Sequence, residues 1–182
     1  MSVAEQIHRQ AATLLTSTRT LNSGLSICEI EECHLWSVQA NRNCDLAVFA
    51  KTVFGDALQF GEMLAADPLR LLHLWPHKAY LLSTQPELPD SLHQFSSMLT
   101  DISHGFCELG LAGGQALEFL AGHASADLTQ TRIAESRNLR CLLGQYQVTL
   151  WWDRDDDIRI LVERSCAISI CDYLEHLLQR WS

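Results

Sequence analysis

Apolar positions recur along the chain with two periods, and their alternation predicts the order of elements. Ala4, Ile7, Ala11, Leu14 and Leu15 fall at helical spacing, which predicts a short amphipathic helix over residues 2–15. The Ser/Thr/Asn run from Thr16 to Gly24 reads as a linker. This opening suits either an arm that orders on a partner or a helix packed on its own domain. Leu25 to Val38 mixes apolar residues with Glu29, Glu31 and Glu32, as two short strands or one bulged strand would. Asn43 stands where it can cap a helix whose apolar face is Leu46, Phe49, Ala50 and Val53, and Gly55 ends it. A looser connection over residues 56–68 leads to a hairpin, Leu69 to Trp75 and Lys78 to Ser83, turning at Pro76-His77. Beyond Pro86 and Pro89, a helix starting near Asp90 or Ser91 carries Leu92, Phe95, Met98 and Leu99 on one face.

The second half repeats this order. Gly105 to Leu111 reads as a strand with Cys107, Leu109 and Leu111 on one face. Gly113-Gly114 turns the chain into a helix holding Ala116, Leu117, Phe119 and Leu120. Gly122 to Asn138 is polar and reads as a loop. Leu139 to Leu143 and Tyr146 to Trp152 are strands around Gly144-Gln145, and the acidic turn Asp153–Asp157 leads into a strand from Ile158 to Val162. Ser165 is placed to cap a last helix with the stripe Ala167, Ile170, Leu174, Leu177, Leu178 and Trp181. The pattern predicts an α+β fold of two pseudo-symmetric strand-helix-strand-strand-helix halves, with antiparallel or mixed sheets covered by helices. The expected organisation is an N-terminal helix and linker over 1–24, a first half over 25–99 and a second over 100–182, in one compact domain.

Composition narrows the classes. Of 182 residues 47% are hydrophobic, enough for a packed interior. The net charge of −9 and the lack of a basic run argue against binding a phosphate backbone. No stretch approaches the roughly 18 apolar residues that span a bilayer. The first twenty residues lack a long apolar core and a leading basic segment, so no secretory signal is expected. Seven cysteines, an odd number set mostly within apolar patterns, then point to reduced thiols and a cytoplasmic location.

Candidate chemistry is sparse. Cys28, Cys33, His34 and Cys44 have spacings that fit no zinc module, and there is no CxxC. Pro76 and the β pattern around it argue against a metal pair at His73 and His77. Cys171 lies beside the last apolar stripe and reads as packing. Asp101, Ser103 and His104 cluster in sequence, but adjacent strand residues face opposite ways, so a turn role is favoured over a nucleophilic pair. Gly110, Gly113 and Gly114 lack the order of a dinucleotide loop and the Lys of a phosphate loop. Arg164 beside Ser165 can hold an anion at the last helix's start, or pair with Glu163 or a partner subunit. Trp151 and Trp152 are consecutive in a strand, so one should face the core and the other outward as a candidate interface anchor.

The second half resembles the gamma subunit of heterotetrameric sarcosine oxidase over about residues 99–180. The residues carrying this are D-I-S-H at Asp101–His104, ELGLAGGQALEFLA at Glu108–Ala121, Asp127-Leu128 and RCLLGQYQVTLW at Arg140–Trp151. The segment VERSCAISICDYL closes it, its Arg164-Ser165 and Ala167 resembling the family's Arg-Ser-x-Ala opening of the last helix. The first half matches in element order and length. The resemblance implies an aminomethyltransferase-like, folate-binding type of fold. It also implies a structural, non-catalytic subunit that binds no cofactor of its own. Its partners would be a large alpha-type and a medium beta-type flavoprotein subunit and a small zinc-binding delta-type subunit. FAD, FMN, NAD and tetrahydrofolate would belong to the parent complex, which demethylates sarcosine or another N-methyl amino acid.

Trp151, Trp152, Arg164 and Ser165 are the candidate interface residues, and no catalytic, cofactor or metal position is carried over. The alternative is a stand-alone folate-binding or one-carbon-transfer protein, which would need a carboxylate for the pterin and basic residues for the glutamate tail. Asp101, Glu108 and Arg140 are available for that, in a chain about half the length of a complete enzyme of the type. A small hydrolase using His104 ranks below both.

Overall fold

The computed structural model describes residues 19–20, 24–30, 34–42, 44–59, 61–128 and 135–181. In chain order the elements are β1 (Arg19–Thr20), β2 (Ser26–Ile30), β3 (His34–Gln39), α1 (Leu46–Phe54), β4 (Met63–Ala66), β5 (Leu69–Trp75), β6 (Lys78–Ser83), a 3₁₀ segment (Asp90–Met98) and β7 (Leu99–Asp101). Then come β8 (Phe106–Ala112), α2 (Ala116–Ala121), β9 (Asn138–Leu143), β10 (Tyr146–Arg154), β11 (Asp157–Glu163) and α3 (Ala167–Leu178). Two sheets form, one ordered β1-β2-β8-β11-β10-β9 and the other β4-β5-β6-β3-β7. The chain divides into two compact units, each built around one sheet. β2 and β3, neighbours in sequence, belong to different sheets.

In the six-stranded unit, β10 and β11 pair antiparallel with Val148 opposite Val162, Leu150 opposite Ile160 and Trp152 opposite Ile158. Directly opposed residues share a face, and all six of these are buried. Phe119 and Leu120 of α2 and Ile170, Leu174 and Leu178 of α3 are buried as well. Trp181, just past α3, stands edge-on to Phe119 with ring centroids 5.4 Å apart. Alternate residues of β10 and β11, including Trp151 and Arg159, take the opposite face of the sheet.

In the five-stranded unit, Trp36, Val38, Leu69, Leu71, Ala79 and Leu81 join Leu46, Phe49 and Ala50 of α1 and Leu92, Phe95 and Met98 of the 3₁₀ segment in one core. Phe49 and Phe95 meet edge to face, 5.0 Å between centroids. The α1 signals were legible: Gly55 adopts φ 76° and its N–H reaches the Lys51 carbonyl, an αL stop that glycine takes at least cost.

Several expectations change. The cap of α1 is Asp45, whose Oδ1 accepts from the Val48 N–H at 2.8 Å; Asn43 lies outside the described residues, as does the helix expected over 2–15. Residues 56–68 contain β4, which pairs Met63 with Leu72 and Ala66 with Leu69. Leu25 to Val38 forms two strands, not one bulged strand. Asp90 to Met98 is 3₁₀ rather than α-helical, and Leu99 begins β7. Its buried residues Leu92, Phe95 and Met98 are spaced three apart, and a helix of three residues per turn stacks such positions on one line. Ser165 does not cap α3: it sits in a 3₁₀ turn (Arg164–Cys166), and Cys166 occupies the cap position without a side-chain bond.

Candidate functional site

On the six-stranded sheet, the β2–β8 register sets Ser26 opposite Ala112, Cys28 opposite Gly110 and Ile30 opposite Glu108. A Cβ on Gly110 would lie 3.2 Å from both Cys28 Sγ and Ile30 Cδ1 and 3.7 Å from Arg159 Nη1. The missing side chain therefore opens the floor of a groove of about 510 Å³, walled on one side by Arg154, Asp156, Asp157 and Arg159. The wall is self-neutralised. Arg154 donates through Nε and Nη2 to the two carboxylate oxygens of Asp156, at 2.9 and 2.6 Å, and Arg159 donates to Asp157 at 3.1 Å. The bond from Arg154 holds the Asp156 carboxyl below its ordinary range, and Asp156 in turn raises the Arg154 guanidinium. Gly113 ties the turn in place: its N–H donates to the Asp156 carbonyl at 2.9 Å. Its φ of 135° and the Gly24 oxygen, 2.6 Å from where a Cβ would sit, both require glycine. Such a groove offers a rigid surface of small residues beside matched charges.

Of the consecutive tryptophans, Trp152 is the inward one, 1% exposed. Trp151 is half-buried on the opposite face and donates its indole N–H to Glu108 at 3.0 Å. Arg164 is half-buried and Ser165 exposed at the approach to α3. Ser103 acts as a tie at the end of β7. Its hydroxyl donates to Asp101 Oδ1 at 2.6 Å and accepts the Leu35 N–H at 2.9 Å, and its own N–H also donates to Asp101. Those two bonds, the side-chain one first, lower the Asp101 carboxyl from its ordinary value. The serine hydroxyl has two acceptors in reach, Asp101 Oδ1 at 2.6 Å and the Leu35 carbonyl at 3.3 Å.

His73 is buried, with Nδ1 2.9 Å from the Gln59 carbonyl, whereas His77 is exposed in the β5–β6 turn. Among the described residues no three His, Cys, Asp or Glu gather as metal ligands; Cys33 lies outside them. Burial, then the Glu29 carboxylate, pushes the Cys107 thiol up to about 12, and burial pushes Cys141 to about 11. Both thiols are buried and packed, and a raised value disfavours the thiolate.

One cluster escaped the sequence reading. At the end of the β5–β6 hairpin Trp75 stands opposite Lys78. The Lys78 ammonium lies 5.3 Å from the Trp75 ring centre and 5.4 Å from that of Tyr80, and the Arg140 guanidinium lies 4.9 Å from Trp75. Trp75 meets Tyr80 edge-on at 5.1 Å, and Tyr80 meets Phe106 at 5.6 Å. The signal available was Trp-Pro-His-Lys at a predicted hairpin tip, which sets an aromatic and a cation side by side.

A folate would need a carboxylate for its pterin. Asp101 is already engaged by Ser103, Glu108 is 6% exposed and accepts from Trp151, and Arg140 is stacked on Trp75. Each of the three residues considered for folate thus has a partner within the chain.

Two antiparallel-rich sheets with few helices define an aminomethyltransferase-like fold. The chain superposes on a chain of the heterotetrameric sarcosine oxidase from Corynebacterium sp. U-96, solved in complex with pyrrole 2-carboxylate, with a TM-score of 0.75 and 19% identity over 94% of this chain and 92% of that one. It also superposes on the glycine cleavage system aminomethyltransferase T from Bartonella henselae, with a TM-score of 0.56 and 12% identity, covering 93% of this chain but 55% of that one. At these identities the likeness is one of fold. No protein-family model and no curated protein sequence matches the chain.

Proposed function

We propose that this chain is a non-catalytic, gamma-type subunit of a sarcosine oxidase-like flavoenzyme complex that oxidatively demethylates sarcosine or another N-methyl amino acid. The observation that carries the reading is the end-to-end match, 94% of this chain against 92% of one chain of that heterotetramer. The aminomethyltransferase is matched over only about half its length. The local chemistry is compatible. The groove's charges are paired with each other, the Ser103 hydroxyl serves Asp101, and two of the cysteines are held as thiols by burial. In this reading FAD, FMN, NAD and tetrahydrofolate belong to the large alpha-type and medium beta-type subunits, with a small zinc-binding delta-type subunit beside them. Arg164 and Ser165 at the approach to α3, and the accessible part of Trp151, remain proposed contact residues.

Tagged chain purified from its native cells, with an absorbance spectrum of the eluate, tests the proposal. A yellow complex holding one large and one medium subunit, active on an N-methyl amino acid, is the expected result. A colourless protein eluting alone would overturn it and shift the reading to a stand-alone folate-binding or one-carbon-transfer module, which folate titration would then check.

A further inference from the structure

We propose that the groove on the six-stranded sheet binds a small amino-acid zwitterion, its carboxylate on Arg159 and its ammonium on Asp157. This site belongs to the chain itself and does not rest on the subunit reading above.

The two Arg–Asp pairs of the groove wall differ in how far they are closed. Arg154 engages both oxygens of Asp156 through two nitrogens, and its side chain is 74% exposed. Arg159 reaches Asp157 through a single bond, Nη2 to Oδ2 at 3.1 Å, and its side chain is 27% exposed. A guanidinium carries more donors, and a carboxylate more acceptor positions, than one bond uses. Among the described residues no other side chain bonds to the remaining Arg159 donors or to Asp157 Oδ1. Asp157 and Arg159 are alternate residues of β11, so both stand on one face. Arg159 Nη1 lies 3.7 Å from the point where a Gly110 Cβ would be, so the open edge of the guanidinium adjoins the recess that this glycine leaves.

Local neutrality selects the ligand. A free anion drawn to Arg159 is repelled by Asp157, which is bonded to the same guanidinium. A free cation drawn to Asp157 is repelled by Arg159 in turn. A zwitterion laid antiparallel to the pair sets each of its charges beside an opposite one and closes a ring of four alternating charges. Either contact alone is weak at this exposure. Carried on one small molecule, the two share a single loss of translational freedom. The rest of the groove sets size and polarity. Its volume of about 510 Å³ suits a small molecule, and Cys28, Ile30, Gly110 and Ala112 offer a floor of small or apolar residues to the ligand's side chain. Glu108, on the same face of β8, is bonded to the Trp151 indole and does not line the groove. A polyphosphate would meet arginines that are each paired with an aspartate, on a chain of net charge −9.

The full-length chain, ¹⁵N-labelled, is titrated with glycine, and separately with acetate and with methylammonium at matched ionic strength, while the amide resonances of Gly110, Asp157 and Arg159 are followed. Glycine is expected to shift them saturably, at least about tenfold more tightly than either half-molecule. Arg159→Gln and Asp157→Asn should each weaken glycine binding at least about threefold. Glycine should also slow alkylation of Cys28 on the groove floor and leave that of Cys44 unchanged. Asp157→Asn keeps the shape of the side chain and carries the test if Arg159→Gln unfolds the chain. No saturation up to the solubility of glycine, or acetate or methylammonium binding as tightly as glycine, would overturn the proposal. So would an unchanged affinity in a folded Asp157→Asn, and an equal loss in Arg154→Gln would place the ligand on the other pair and overturn the assignment. The subunit reading stands or falls separately, on the native complex.

Discussion

The two hairpins β5–β6 and β10–β11 each bring cations to one end of a sheet and settle them in opposite ways. At β10–β11, Arg154 and Arg159 are matched within the hairpin by Asp156 and Asp157. At β5–β6, Lys78 lies over Trp75 and Tyr80, with Arg140 over the same indole. The difference follows from turn chemistry. The acidic run Asp153–Asp157 supplies carboxylates two residues from each arginine, whereas the Pro76-His77 turn supplies none. Placement of charge thus separates the two hairpins more than their folding does.

The comparison depends first on each sheet resting on a rigid core. Trp152→Ala on one side and Phe49→Ala on the other should each cost about 3–5 kcal/mol in urea unfolding, since both side chains are fully buried. A loss near zero at either would break the picture of that sheet. Next comes the tie that holds the β10–β11 turn. Gly113→Ala adds a Cβ 2.6 Å from a backbone oxygen at φ 135°, and a cost of roughly 1–3 kcal/mol is expected. Gly110→Ala should cost less, because the atoms it meets at 3.2 Å are the ends of the Cys28 and Ile30 side chains. The reverse order would mean that the groove floor, not the tie, shapes that hairpin.

A thiol test probes burial in the six-stranded unit. With Cys107 raised to about 12 against an ordinary thiol near 8.5, its thiolate fraction at pH 8 falls roughly a thousandfold. Peptide-mapped alkylation should therefore leave Cys107 unmodified long after the partly exposed Cys44 and Cys166 react. Because the folded value is raised, this contribution to stability is intact below about 8.5 and fades as pH climbs toward 12. In the five-stranded unit the sign is opposite. The lowered Asp101 carboxyl contributes above its ordinary range near 3.9 and ceases to as pH falls through its folded value. Ser103→Ala should return the Asp101 titration toward the ordinary value by NMR. An unchanged titration would show that the two bonds from Ser103 do not set it.

The smallest effects contrast the hairpins directly. Lys78→Gln should lower stability by about 0.5–1 kcal/mol through lost ring contact. Arg154→Gln, removing a largely exposed pair, should leave the melting temperature unchanged within error. A larger effect at Arg154 than at Lys78 would reverse the contrast.

Much of the architecture could be read from periodicity because its signals are local. The β5–β6 and β10–β11 hairpins, α1 with its Gly55 stop and the α3 stripe each lie within a few turns of chain. What escaped lay in competition between neighbours. Asp45 takes the cap role assigned to Asn43, and β4 emerges from residues 56–68 only because β5 offers its edge. Three-residue spacing of Leu92, Phe95 and Met98 fits 3₁₀ winding as well as one face of an α-helix. The candidate site was harder still. Trp151 and Trp152 could be split into an outer and an inner residue by alternation, but the bond from Trp151 to Glu108 joins residues 43 apart.

The sequence by itself determined the alternation of strand and helix, the glycine stops and the acidic surplus, since each is a property of adjacent residues. Only the tertiary structure decided that β2 and β3 part into different sheets, that Gly110 opens a groove beside Arg159, and that Arg140 meets the ring of Trp75. Those outcomes depend on strand order and register, which are set by how apolar faces from distant segments are buried together, and no local pattern encodes that choice.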